Sequence, residues 1–271
     1  MLYRITSFLS IIAVLVACST NPITGRRQVS LVSEQELQSM ATQEYRQFLS
    51  SNRVVSPSAD RDAEMVRRVG QRIANAVTQY YRQEGLSEVL AGYKWEFNLV
   101  NDKAANAWAM PGGKVVVYTG LLPITKNEAA LANVLGHEIS HAIFQHGNER
   151  MSQGLVQQLG GVALSAALAS RPAQTQNLFM QAYGVGSNVG VLLPFSRKQE
   201  LESDRFGMRW AAMAGYNPRE AVSLWQRMAQ QAESGQKPPE FLSTHPAEQR
   251  RIEQLQQYLP EALKYYKPSG R

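Results

Sequence analysis

Residues 127–146 read NEAALANVLGHEISHAIFQH, and this stretch decides how the rest of the chain is understood. Leu131, Val134, Leu135, Ile139, Ala142 and Ile143 recur at the spacing of one helix face, and Thr125 and Glu128 stand at the spacing of a capping box. Successive residues turn by about 100°, so His137 and His141 lie about 40° apart, one turn above the other. Two imidazoles so placed can hold one metal ion. Glu138 flanks that face, where a carboxylate can reach a water beside the metal without taking a ligand position.

The competing reading is a pair of core histidines satisfied by packing. Two facts weigh against it. The chain has only four histidines and three of them, at 137, 141 and 146, fall within ten residues. The motif also lies on a helix, as the H-E-x-x-H chemistry of zinc metalloproteases requires. One zinc ion per chain is the expectation.

Two histidines do not complete a catalytic zinc site, which takes three protein ligands and leaves a position for water. If the helix continues, His146 is about 140° round the axis from His141 and faces away from the metal, a packing or supporting residue. Phe144 stands where the metzincin pattern needs glycine. The third ligand is therefore expected to be a carboxylate on another helix. Arg197 to Asp204 offers Glu200, Glu202 and Asp204. Glu200 and Asp204 share a face, and Glu202 is about 160° away from either. If Glu200 binds zinc, Asp204 sits one turn on, placed to orient a histidine through its free N–H.

Taken together, HEISH, the ExxSD of SRKQELESDRFGM, NAWAMPGGKVVVYTGLL before and STHP after resemble zinc metallopeptidase family 48. This is the family of HtpX, the CAAX prenyl endopeptidases and the bacterial LoiP and BepA proteases. The lead NPITGRRQVSLVS is similar to that of its compact lipoprotein members, without the tetratricopeptide repeats found in others. The resemblance implies zinc on His137, His141 and Glu200, with Glu138 as general base. It implies a gluzincin-like α+β fold, predominantly helical, with a small sheet beside the HExxH helix. It also implies a strand at Asn106, Ala107, Trp108 and Ala109 that pairs with an extended substrate. Ser203 departs from the family's usual alanine. His245, in Ser243-Thr244-His245-Pro246, is expected either to stabilise the transition state or to be a fourth zinc ligand in a resting form.

The remainder of the chain sets the context. Its 271 residues, 44% hydrophobic and 18% charged, describe an ordinary globular protein. Net charge is +6 with the basic residues scattered, which points away from a nucleic-acid partner. Arg4, the apolar run Phe8 to Val16 and Ala17-Cys18 resemble a lipoprotein signal, with Cys18, the sole cysteine, as the lipidated residue. The organisation expected is a signal peptide at 1–17, a lipidated lead at 18–33 that wraps the domain, and one metallopeptidase domain at 34–271. Ser19 after the cysteine favours a bacterial cell-envelope location, anchored to the outer membrane and facing the periplasm. Helices are expected at 34–49, 58–82, from about 148, and at 197–213, 218–233 and 246–258, with strands at 95–100 and 114–118. The glycine-rich stretch 171–195, running just ahead of Glu200, is placed to act as a lid.

The function this implies is an endopeptidase that removes misfolded or misassembled envelope proteins, in association with outer-membrane assembly machinery. A chaperone or scaffold for outer-membrane proteins with latent protease activity is the alternative. A cell-wall amidase is the weaker third.

Overall fold

In the computed structural model the described residues are 18–159, 172–183, 196–233, 239–245 and 249–268. The chain begins with an antiparallel hairpin, β1 (Cys18–Thr20) with β2 (Arg27–Val29), and enters α1 (Glu34–Ser51) through a capping box between Ser33 and Glu36. The short β3 (Val54–Val55) leads to α2 (Arg61–Gln83), whose first N–H groups are taken by the Asp60 carboxylate. The strands β4 (Glu96–Val100), β5 (Ala107–Met110) and β6 (Lys114–Tyr118) complete a four-stranded sheet of order β3-β4-β6-β5. β4 and β6 are parallel, whereas β5 runs antiparallel to β6 and forms the sheet's edge. Gly112 and Gly113 both have positive φ, 75° and 81°, so the Pro-Gly-Gly turn between β5 and β6 needs residues without a Cβ.

After the single turn of α3 (Leu122–Thr125), α4 (Glu128–Ile143) carries HEISH through the middle of the molecule, buried at every position from Ala130 to Ile143. Its cap is Asn127, whose side chain accepts from the Ala130 N–H, and not Thr125 as the spacing suggested. Thr125 ends α3, its hydroxyl donating to the Leu122 carbonyl, and Lys126 then turns the chain at φ 65°. The next helices are α5 (His146–Leu159) and α6 (Pro172–Ala182), packed on each other. Most of the stretch expected to be a lid is thus either α6 or lies outside the described residues. α7 (Arg197–Met213), α8 (Glu220–Glu233), the single turn α9 (Phe241–Thr244) and α10 (Gln249–Leu263) complete the chain. The result is predominantly helical with small sheets, as expected from the sequence.

The closest helix pairing is α4 with α7, and two glycines make it possible. A Cβ on Gly136 would lie 2.5 Å from the Gly207 carbonyl oxygen, and one on Gly207 would lie 2.6 Å from the His137 nitrogen. Backbone meets backbone there, which brings Glu200 to the two histidines. Ser140, inside HEISH, adds a tie by accepting the Trp210 indole N–H at 3.1 Å. Gly207→Ala is expected to cost about 1–3 kcal/mol through overpacking that only helix displacement can relieve. Denaturant unfolding checks this, and an unchanged midpoint would contradict it.

The lead is stitched along α5. The Leu31 N–H donates to Ser152 Oγ at 2.9 Å, and Asn148 Nδ2 donates to the Val32 carbonyl at 2.9 Å. Arg26 reaches Glu149 and Glu202 at 2.7 and 2.8 Å.

Candidate metal centre

Four side chains from three segments converge. α4 supplies His137 and His141, α7 supplies Glu200, and His245 follows the last residue of α9. One donor atom from each lies within 4.8 Å of all the others. His141 Nε2 is 3.0 Å from His137 Nε2, and His245 Nδ1 is 3.2 Å from the same atom. Glu200 stands 3.4 Å from His141, 3.6 Å from His137 and 2.9 Å from His245. Four donors bound tetrahedrally at about 2.0–2.2 Å from one ion would lie about 3.3–3.6 Å apart. The donor set therefore fits a metal ion. Bare nitrogens facing one another in a buried cluster are otherwise short of hydrogens to share.

The surroundings orient these donors. Asp204 Oδ1 is 2.9 Å from His137 Nδ1, leaving Nε2 to face the cluster. Arg251, on α10, pairs with Glu200 Oε2 at 2.6 Å, grips both Asp204 oxygens at 2.6 and 2.8 Å, and lies 3.5 Å over the Trp225 ring. Burial alone would raise both carboxyls. Arg251, with His245 for Glu200 and His137 for Asp204, outweighs burial and holds them below their ordinary range. Burial also lowers His141 well below its usual value and His245 to about 4, which favours the neutral imidazole that a metal ligand must be. Phe241 stacks on His245 at 4.4 Å, and its N–H bonds to the Ala105 carbonyl, which sets His245 beside the start of β5.

Glu138 sits differently. Its Oε1 is buried without a hydrogen-bond partner among the described residues, 3.5 Å from His245 Nε2. Burial, then the nearby Glu200 charge, pushes its carboxyl well above the usual range. A cavity of about 10 Å³ lies between Glu138, His141, Thr244, His245 and β5. That is near the least volume that admits one water.

The residues of β5 divide. Asn106 ties off the strand's start, accepting the Ala107 N–H at 2.9 Å. The Trp108 indole is committed to the core beneath α1, edge-on to Tyr45 and Phe48. Ala107 and Ala109 pack toward α4.

His146 corrects a geometric expectation. It does not face away, because α4 stops at Ile143 and Gln145 turns the chain at φ 57°. The ring comes back to place Nδ1 2.9 Å from His141 Nδ1. Glu202 stays out of the donor cluster and meets His146 at 2.7 Å. Sequence reasoning missed Arg251, since nothing in QRRIEQ distinguishes it from a solvated helix arginine. It also missed Tyr183, which lines the cavity by Glu138 with its buried hydroxyl lacking a hydrogen-bond partner among the described residues.

A buried helix carrying H-E-x-x-H beside a small mixed sheet, with a glutamate from a neighbouring helix among the donors, defines a zincin-type metallopeptidase domain. The profile of Peptidase family M48 matches residues 60–259, and the chain belongs to that family. It is 35% identical over 245 residues to the mitochondrial metalloendopeptidase OMA1 of Schizosaccharomyces pombe, covering 89% of this chain and 66% of that protein. The human OMA1 is 29% identical over 252 residues, 90% of this chain and 46% of that protein. The beta-barrel assembly-enhancing protease of Escherichia coli is 31% identical over 189 residues, 65% of this chain and 37% of that protein. The chain thus spans less than two thirds of each of these relatives. The expectation of a bacterial outer-membrane, periplasm-facing location is corrected by these matches: the relatives aligned over about nine tenths of the chain are mitochondrial by name. Among the described residues no helix is long and apolar enough to cross a membrane.

Proposed function

We propose that the chain is a zinc-dependent endopeptidase acting on unfolded or misassembled protein chains. The observation that carries this reading is the convergence of His137, His141, Glu200 and His245 with the buried Glu138 carboxyl beside them. A His₂Glu set favours zinc among the common divalent metals. When bound, zinc would supply Lewis acidity toward a water and toward the scissile carbonyl.

The chain's own residues do the rest. Glu138 takes a proton from the attacking water as the new C–O bond forms, then gives it to the amine nitrogen as the C–N bond breaks. Desolvation has already raised its affinity for that proton. Asp204 and Arg251 hold His137 and Glu200 in place while this happens. His245 has two tasks open to it. Within the donor cluster it would act as a fourth ligand and keep the enzyme at rest; swung outward, it would donate to the oxyanion. Its position 3.2 Å from His137 Nε2 supports the first of these tasks.

An extended peptide would add along the outer edge of β5 once that buried edge is uncovered, which would bring its backbone past Glu138. The edge position of β5 supports this, and the Escherichia coli relative is by name a protease that enhances β-barrel assembly. Metal removal tests the proposal. Cleavage of casein is expected to fall to background with a strong chelator and to return with one equivalent of zinc. Cleavage that survives complete metal removal would contradict it.

A further inference from the structure

We propose that His146 and Glu202 are positioning residues for the ligand His141, and that Arg26 couples the amino-terminal lead to them; this rests on the metal-site reading above. A ligating imidazole nitrogen must be bare. His141 turns Nε2 into the donor cluster, so its ring hydrogen belongs on Nδ1 and needs an acceptor. The atom it meets is His146 Nδ1, at 2.9 Å. That nitrogen accepts only if His146 carries its hydrogen on Nε2. Glu202 fixes this, because a carboxylate only accepts and its Oε2 lies 2.7 Å from His146 Nε2.

Hydrogens then run in one direction, from His141 to His146 to Glu202. His146 does for His141 what Asp204 does for His137, by an imidazole in place of a carboxylate. The ring is fully buried, away from bulk water. Ser203 Oγ, 3.3 Å from the same His146 nitrogen, is the more distant contact.

The chain of contacts does not end at Glu202. The same Oε2 accepts the Arg26 Nε–H at 2.8 Å, and Arg26 Nη1 donates to Glu149 at 2.7 Å. Arg26 stands in the turn between β1 and β2, so the lead holds the carboxylate that fixes the tautomer. Sequence position gives no hint of this: Arg26 and Glu202 are 176 residues apart.

Supporting partners of metal-bound histidines are worth about 10–100-fold in metal affinity. Zinc affinity of the full chain, measured against a competing chromophoric chelator, is expected to fall by about that factor in His146→Ala and in Glu202→Ala. His146→Gln, whose amide oxygen can accept from His141, is expected to recover part of the loss, and Arg26→Ala to lose less than Glu202→Ala. A merely structural role would lower the melting temperature of the metal-free protein and leave zinc affinity alone. Nitrogen NMR of the zinc-loaded wild type is expected to find the ring hydrogen on Nδ1 of His141 and on Nε2 of His146.

Unchanged zinc affinity in either alanine variant overturns the proposal, as does the reverse tautomer pair. Should His146→Ala fail to fold, Glu202→Ala leaves the histidine in place and decides the matter. A wild-type chain that takes up no zinc overturns the metal-site reading and this one with it, whereas equal uptake by wild type and variants overturns this one alone.

Discussion

Glu138→Gln is expected to remove peptide-bond cleavage while leaving the metal site intact. The amide is nearly isosteric with the carboxylate, and Glu138 is not among the four converging donors. What it loses is the ability to take and return a proton, a contribution typically worth about 10²–10⁴-fold in rate. Initial rates on casein, with bound metal measured in the same samples, check this. Full activity in the variant would assign the base elsewhere. If a function in binding unfolded chains persisted in the variant, the chaperone reading would gain what the peptidase reading lost.

Arg251→Ala is expected to produce the largest loss of stability of any single change at the site. The guanidinium is buried, pairs with Glu200 and Asp204 together, and lies over Trp225. Removing it leaves two carboxylates buried beside each other with one cation fewer. Breaking a buried ion pair from one side costs about 3–5 kcal/mol. For a domain of this size that corresponds to a fall of about 6–20 °C in melting temperature. The metal-free protein should show the full effect, since a bound cation would offset part of the repulsion. Arg251→Lys should recover only part of it, because an ammonium cannot reproduce the two-oxygen grip on Asp204. A melting temperature unchanged in the metal-free variant would contradict the account of how Glu200 is held.

Much of the molecule was legible before its coordinates. The helices at Glu34, Arg197 and Glu220 and the strands at Glu96 and Lys114 announce themselves by caps and periodicity, and the structure starts them within one or two residues of expectation. Ser196 caps the helix of Glu200 through a capping box with Gln199, a local signal sequence can carry. The start of α4 was misread for an equally local reason. Lys126 adopts a left-handed conformation, so the chain breaks after Thr125 and Asn127 takes over as cap. Gln145 repeats the lesson. A glutamine at positive φ carries no mark in the sequence, yet it ends α4 and returns His146 to His141.

Other features were illegible because they are long-range. Arg251 is separated from Asp204 by 47 residues and is held there by the packing of α10 on α7. The edge strand β5 is four residues long and buried on both faces, so it shows no polar alternation. It was reached through family resemblance, not through its pattern.

The account's central claim is that His137, His141 and Glu200 hold one zinc ion per chain. Metal content by elemental analysis, after exhaustive dialysis of wild type and Glu200→Gln, tests it most directly. One zinc per wild-type chain, lost from the variant at the same free zinc concentration, is the predicted result. No zinc in the wild type, or equal retention in both, would contradict it.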